Sequence, residues 1–144
     1  MKREEIKTFL PHREPMLLVD EVEIDEQKVA HAKYHVSGDE FFLKGHFPGN
    51  PVVPGVILCE IMAQSCCLLI GDDLIGRTPF YAGIDKVKFK KQVKPGDTIE
   101  ITAKINMQKK LIYFVEAYAE VNNQRCVQAE MVFALVDNDK ITNE

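Results

Sequence analysis

The chain has 144 residues and a mass of 16.4 kDa, room for one ordinary domain, expected to span residues 1–144, and too little for two separate cores. Apolar residues make up 46% and charged residues 28%, which excludes a disordered chain. The net charge of -4 argues against a general nucleic-acid binder.

The first residues, Met1-Lys2-Arg3-Glu4-Glu5-Ile6, are charged and lack an apolar stretch, so no secretory leader is expected. Glu4 to Phe9 predicts a short helix ended by Leu10-Pro11, because the residue before proline is pushed out of the α region. Met16 to Ile24 and Lys28 to Val36 predict two strands around an Asp25-Glu26-Gln27 turn. His12 falls in a turn flanked by Pro11 and Arg13, and His31 and His35 share a strand with no nearby acid in sequence. All three are given structural readings, and no metal motif joins them.

Pro54 to Ile70 predicts a buried helix. Of the sixteen residues from Gly55 to Ile70, only Glu60, Gln64 and Ser65 are polar; a helix apolar nearly all round is expected to be buried nearly all round. Proline in the first turn and Gly71 after the last fit its ends. The stretch is too short and too interrupted to span a bilayer, so a soluble, cytoplasmic protein is expected. Cys59, Cys66, Cys67 and Cys126 form no CxxC pair and are read as buried free thiols.

Beyond the helix, Ile99, Ile101, Ala103, Ile105 and Met107 alternate with polar residues, predicting a strand with one dry and one wet face. Leu111 to Val121 and Arg125 to Val136 continue as strands after short polar turns, and loops this short permit only antiparallel hairpins. Strands on either side of one apolar helix predict an α+β architecture, a curved antiparallel sheet wrapped around a central helix. So apolar a helix in so small a chain also favours oligomers.

Glu60 is the anomaly, since a carboxyl on a buried helix needs a raised pKa or a dedicated partner. A structural reading gives it Gln64, one turn later, as that partner. The segment before it, residues 45–55, holds three glycines and three prolines, a rigid loop leading into a helix N-terminus. Such a terminus leaves amides unpaired and carries partial positive charge, so the Gly55 N–H can stabilise an oxyanion. His46, in the same loop, can act as a base near neutrality. At 1.5 Å per residue Glu60 sits about 7 to 8 Å along the axis from Gly55, awkward for His46 and Glu60 of one chain to bracket one bond. A twofold partner could supply the second group.

Gly45-His46-Phe47-Pro48-Gly49-Asn50-Pro51-Val52-Val53-Pro54-Gly55-Val56, followed by Glu60 and Ala63-Gln64, resembles the signature of the FabZ-type 3-hydroxyacyl-acyl-carrier-protein dehydratases. Leu10-Pro11-His12-Arg13 with Leu17-Leu18-Val19-Asp20 resembles their N-terminal motif, and residues 82–89 with 93–97 resemble their post-helix strand and turn. Glu14 and Met16 depart from the aromatic-rich N-terminal pattern. The resemblance implies a hot-dog fold and a homodimer, often assembled into a trimer of dimers. It implies catalysis by His46 and Glu60 from different subunits with Gly55 polarising the carbonyl, no cofactor and no metal. The implied substrate is a (3R)-3-hydroxyacyl thioester on acyl carrier protein, and the product is the trans-2-enoyl thioester, as in fatty acid elongation. Lys86, Lys88, Lys90, Lys91 and Lys94, the first three placed on one strand face, could dock that acidic carrier or guard a sheet edge. The alternatives are an isomerising dehydratase making a cis-3-enoyl product, a hot-dog acyl thioesterase and a non-catalytic acyl-thioester module. The aspartate usual at the acid position of isomerising relatives is a glutamate here.

Overall fold

The computed structural model describes residues 1–142. Its elements are α1 (Arg3–Ile6), β1 (Glu21–Ile24), β2 (Ala30–His35), α2 (Gly55–Cys67), β3 (Arg77–Phe89), β4 (Thr98–Lys109), β5 (Ile112–Val121), β6 (Gln124–Asp137) and α3 (Asn138–Thr142). The six strands form one curved antiparallel sheet in the order β1-β2-β4-β5-β6-β3, and α2 packs on β2, β4, β5 and β6. This is the expected α+β hot-dog arrangement. Among the described residues no helix is long and apolar enough to cross a membrane.

Period-two alternation places the core. Ala30, Ala32 and Tyr34 of β2, Ile99, Ile101 and Ala103 of β4, Tyr113 to Val121 on alternate positions of β5, and Val127 to Leu135 on alternate positions of β6 are all buried. The inward face they form receives Leu58, Ile61, Met62 and Cys66 of α2. The dry face of β4 ends sooner than the alternation predicts. Ile105 pairs with Val115 but Met107 with Phe114; Asn106 is the extra residue of a bulge, and Met107 lies exposed.

Three further expectations are corrected. The first strand begins at Glu21 rather than Met16, because Leu17, Leu18 and Val19 are consecutively buried and the backbone there bonds to a side chain of α2 instead of a strand. The helix is not buried all round: Val56, in its first turn, is 76% exposed. Lys86, Lys88 and Lys90 do not share a strand face. Asp85 pairs with Glu130 and Lys88 with Gln128, so a bulge carrying Lys86 at φ +52° breaks the alternation, and Lys90 lies beyond the strand end.

The Asp25 turn forms as read, its Oδ1 accepting from Gln27 N at 2.9 Å and Val29 N at 3.0 Å. The same carboxylate reaches His31, with 2.9 Å between Oδ2 and Nε2, so that histidine does have an acid, across its own hairpin. His35 Nδ1 lies 3.0 Å from Thr98 Oγ1.

Ile61, fully buried on α2, is expected to cost about 2–5 kcal/mol when truncated to alanine. Equilibrium denaturation of Ile61→Ala checks this, and a loss below 1 kcal/mol would mean that the helix is not the centre of the core.

Candidate active site

Gln64 organises the neighbourhood of Glu60. Its side chain is buried; Oε1 accepts from Leu18 N at 2.8 Å, and Nε2 donates to Met16 O at 2.7 Å. Both backbone partners have fixed roles, so the orientation of the amide follows from chemistry alone. The remaining N–H of Nε2 donates to Glu60 Oε2 at 2.9 Å. The partner expected one helical turn from Glu60 is therefore present, and it also ties residues 16–18 to the helix.

Glu60 lines a cavity of about 130 Å³ with His12, Ala63, Gln64, Cys67, Pro79, Phe80, Tyr81 and Phe133. Pro79 to Tyr81 belong to β3, the sheet's outer strand, so the cavity opens beneath a free edge. That volume is well short of a pocket for a long chain. The Tyr81 hydroxyl donates to Cys59 O at 3.3 Å. Burial pushes the Cys66 and Cys67 thiols well up, so these cysteines are inert as nucleophiles.

His46 lies in the loop before α2 and is not among the residues lining that cavity. The loop is held by Val52 N donating to His46 O at 2.9 Å and by the His46 ring stacked on Phe47, centroids 4.3 Å apart. Its Nδ1 lies 3.1 Å from Val52 O. A carbonyl only accepts, so Nδ1 carries a proton, and in the neutral ring Nε2 presents the lone pair. His46 precedes the helix start and Glu60 lies in its second turn.

Gly55 is the first residue of α2. The first helical acceptor, Pro54 O, takes Ile57 N at 3.0 Å and Leu58 N at 3.1 Å, so helix geometry leaves the Gly55 amide no intrahelical partner. A Cβ built here would lie 2.9 Å from the Phe89 ring, which explains glycine: the end of β3 covers the helix start. The five lysines are exposed around and after that strand end. Lys86 Nζ lies 3.5 Å from Glu130 Oε2, and Lys91 bonds Gln124.

The structure brings His12 to Glu60, with 3.3 Å between Nε2 and Oε2, where a structural turn histidine was expected. Its signal lay in Leu10-Pro11-His12-Arg13, a motif of the resemblance to which no role was attached. Among the described residues no group of His, Cys, Asp and Glu could hold a metal ion.

The FabA-like domain family matches residues 10–130. The 3-hydroxyacyl-[acyl-carrier-protein] dehydratase FabZ of Clostridium perfringens is 47% identical over 138 residues, covering 94% of this chain and 99% of that one. The enzyme of the same name from Caldicellulosiruptor saccharolyticus is 45% identical over 133 residues, covering 90% and 95%. Among solved structures, the dehydratase heterocomplex ApeI:P of Xenorhabdus doucetiae superposes with a TM-score of 0.81 at 18% identity, covering 96% of this chain and 95% of that one. A mutant of the fluoroacetyl-CoA-specific thioesterase FlK gives 0.67 at 14%, covering 78% and 95%. These two likenesses show the fold alone.

Gln64→Leu is expected to strand the buried Leu18 N–H and Met16 carbonyl, at about 1–3 kcal/mol for each unsatisfied group. Thermal unfolding checks it, and an unchanged Tm would mean that residues 16–18 do not depend on this amide.

Proposed function

This chain belongs to the FabA-like family, with FabZ 3-hydroxyacyl-acyl-carrier-protein dehydratases as its relatives, and from that premise we propose how its own residues remove water from the substrate. It is a dehydratase. The substrate is a (3R)-3-hydroxyacyl group held as a thioester on acyl carrier protein, and the product is the trans-2-enoyl thioester of fatty acid elongation.

His46 Nε2 takes the C2 proton. The Gly55 N–H donates to the thioester oxygen as negative charge gathers there. Glu60 gives a proton to the C3 hydroxyl, which leaves as water. The carbon–hydrogen and carbon–oxygen bonds break, the 2,3 double bond forms, and one proton passes from His46 back to Glu60 before the next turnover. The single observation that carries this reading is the His46–Val52 hydrogen bond at 3.1 Å, which leaves Nε2 as a lone-pair base. Proton transfers suffice, so no cofactor is invoked.

Two groups that one chain holds apart act together if each site takes His46 from one subunit and Glu60 from the other. The free edge of β3, with Phe80, Tyr81 and Ile84 exposed, is where a second copy would extend the sheet and complete the wall of the small cavity. We assign the whole chain to one such domain in a homodimer, which can assemble further into a trimer of dimers. The carrier docks from the cytoplasm near Phe89, whose ring covers Gly55, on the lysines flanking it.

His46→Ala and Glu60→Gln are each expected to lower dehydration by about 10²–10⁴-fold with the fold intact, read from enoyl-thioester absorbance on 3-hydroxyacyl carrier substrate. Retained activity in either variant overturns the assignment; a cis-3-enoyl product or released thiol would instead make the enzyme an isomerase or a thioesterase. Mixing the two inactive variants under subunit exchange is expected to restore about one quarter of wild-type activity, the statistical share for a shared twofold site. No recovery, with exchange shown, would place both groups in one subunit.

Lys88→Glu with Lys90→Glu is expected to raise KM for the carrier-bound substrate in low salt and leave a pantetheine thioester unaffected. Equal KM values for both substrates would assign these lysines to edge protection.

A further inference from the structure

The loop carrying His46 is fastened at its start. Ser37-Gly38-Asp39-Glu40 follows the end of β2 and leads, through a 3-10 turn at Phe41–Leu43, into the segment holding the imidazole. Four donors converge on the Glu40 carboxylate. Oε1 accepts from Gly38 N at 2.9 Å and Ser37 Oγ at 3.1 Å; Oε2 accepts from the Tyr34 hydroxyl at 2.7 Å and Ser37 N at 3.0 Å. Two donors on each oxygen use the full accepting capacity of an ionised carboxylate.

The donors are themselves fixed. Tyr34 is buried on the inward face of β2, so its hydroxyl needs a partner, and Glu40 supplies it. Gly38 holds φ +106°, and a Cβ built there would lie 3.5 Å from Pro95 Cβ, so the turn needs glycine and sits against the Pro95-Gly96-Asp97 turn. Val36 ties the same two turns together, its N–H donating to Asp97 O at 2.9 Å and its carbonyl accepting from Gly96 N at 2.8 Å. Burial pushes the Glu40 carboxyl up, but the Tyr34 hydroxyl and the amides of Gly38 and Ser37 bring it below the usual carboxylate range, so the acceptor is ionised near neutrality.

Two short steps connect this clasp to the base. Leu43 N donates to Glu40 O at 3.1 Å, and His46 N donates to Leu43 O at 3.2 Å. Phe42 and Leu43, between them, are buried in the core, and Val52 O receives the His46 ring at the far side of the loop.

We propose that Glu40 is a positioning residue for His46: by gathering Tyr34, Ser37 and Gly38 it fixes the start of the loop to β2, and the two successive turns carry that placement to the imidazole. The proposal rests on His46 being the base of the reaction, a role in which a displacement of about 1 Å can cost about 10²-fold in rate.

Glu40→Gln in the full-length enzyme tests it. Glutamine fills the same space with one acceptor oxygen, and in either orientation its NH2 group faces a backbone N–H, that of Ser37 or that of Gly38. The expected result is a kcat lower by about tenfold or more with KM within about twofold. Protein labelled with 15N-histidine gives the second reading, the His46 signals being assigned by their loss in His46→Ala: Glu40→Gln is expected to move them and to leave those of His31, in the distant hairpin, unchanged. Tyr34→Phe removes one donor of the four and is expected to lower kcat about two- to threefold, with a smaller movement of the His46 signals in the same direction. Wild-type kcat in Glu40→Gln, or a loss of kcat with unmoved His46 signals, overturns the proposal; should that variant not fold, Tyr34→Phe decides, unmoved His46 signals overturning it. Activity retained in His46→Ala would instead sink the base assignment, and the His46 spectrum would then report by itself whether Glu40 places the loop.

Discussion

The site depends on how α2 satisfies its polar side chains while it is buried against four strands. Ser65 solves its own problem, its hydroxyl donating to Ile61 O at 2.9 Å. Gln64 does more: each of its hydrogen-bonding groups is used, two on the backbone of residues 16–18 and one on Glu60. A stranded buried amide costs more than a satisfied one contributes, so the extended segment before β1, the helix and the carboxyl are fixed together. Glu60 sits in an apolar helix because its neighbour one turn on was already committed to holding it.

The loop preceding the helix solves a different problem. Its glycines and prolines leave few backbone conformations, and the Val52 carbonyl returns to His46 to set the tautomer of the ring. The helix then starts at a glycine because the Phe89 ring leaves no room for a Cβ. His46, the Gly55 amide and the covering Phe89 ring are thus placed by one stretch of chain and the end of one strand.

Much of this was legible in the sequence because it is local. Helix α2 announced itself by its apolar run between Pro54 and Gly71, the Asp25 turn by its side chain, and β4 to β6 by alternation and short loops. Glu60 stood out since an acid within an apolar helix demands an explanation. What was misread is non-local. Residues 16–18 look like part of a strand, but Leu18 N and Met16 O bond to Gln64, 46 and 48 residues away. The lysine alternation fails at the bulge carrying Lys86, and the dry face of β4 fails past Ile105 at another. Extra residues in a ladder depend on the partner strand, and periodicity within one strand holds no record of them.

His12 is the sharpest case. In the sequence it is a turn histidine 48 positions from Glu60, and only the fold places the two side chains 3.3 Å apart. By itself the sequence determined the fold class, the loop–helix device, the choice of Glu60 and His46 as candidates, and family membership, since each rests on residue types at short spacing. The tertiary structure alone decided that His12 lies beside Glu60, that Gln64 ties residues 16–18 to the helix, and that the cavity at Glu60 lies under an unpaired strand. Those are contacts between distant segments, created only when burial against a common sheet brings them together.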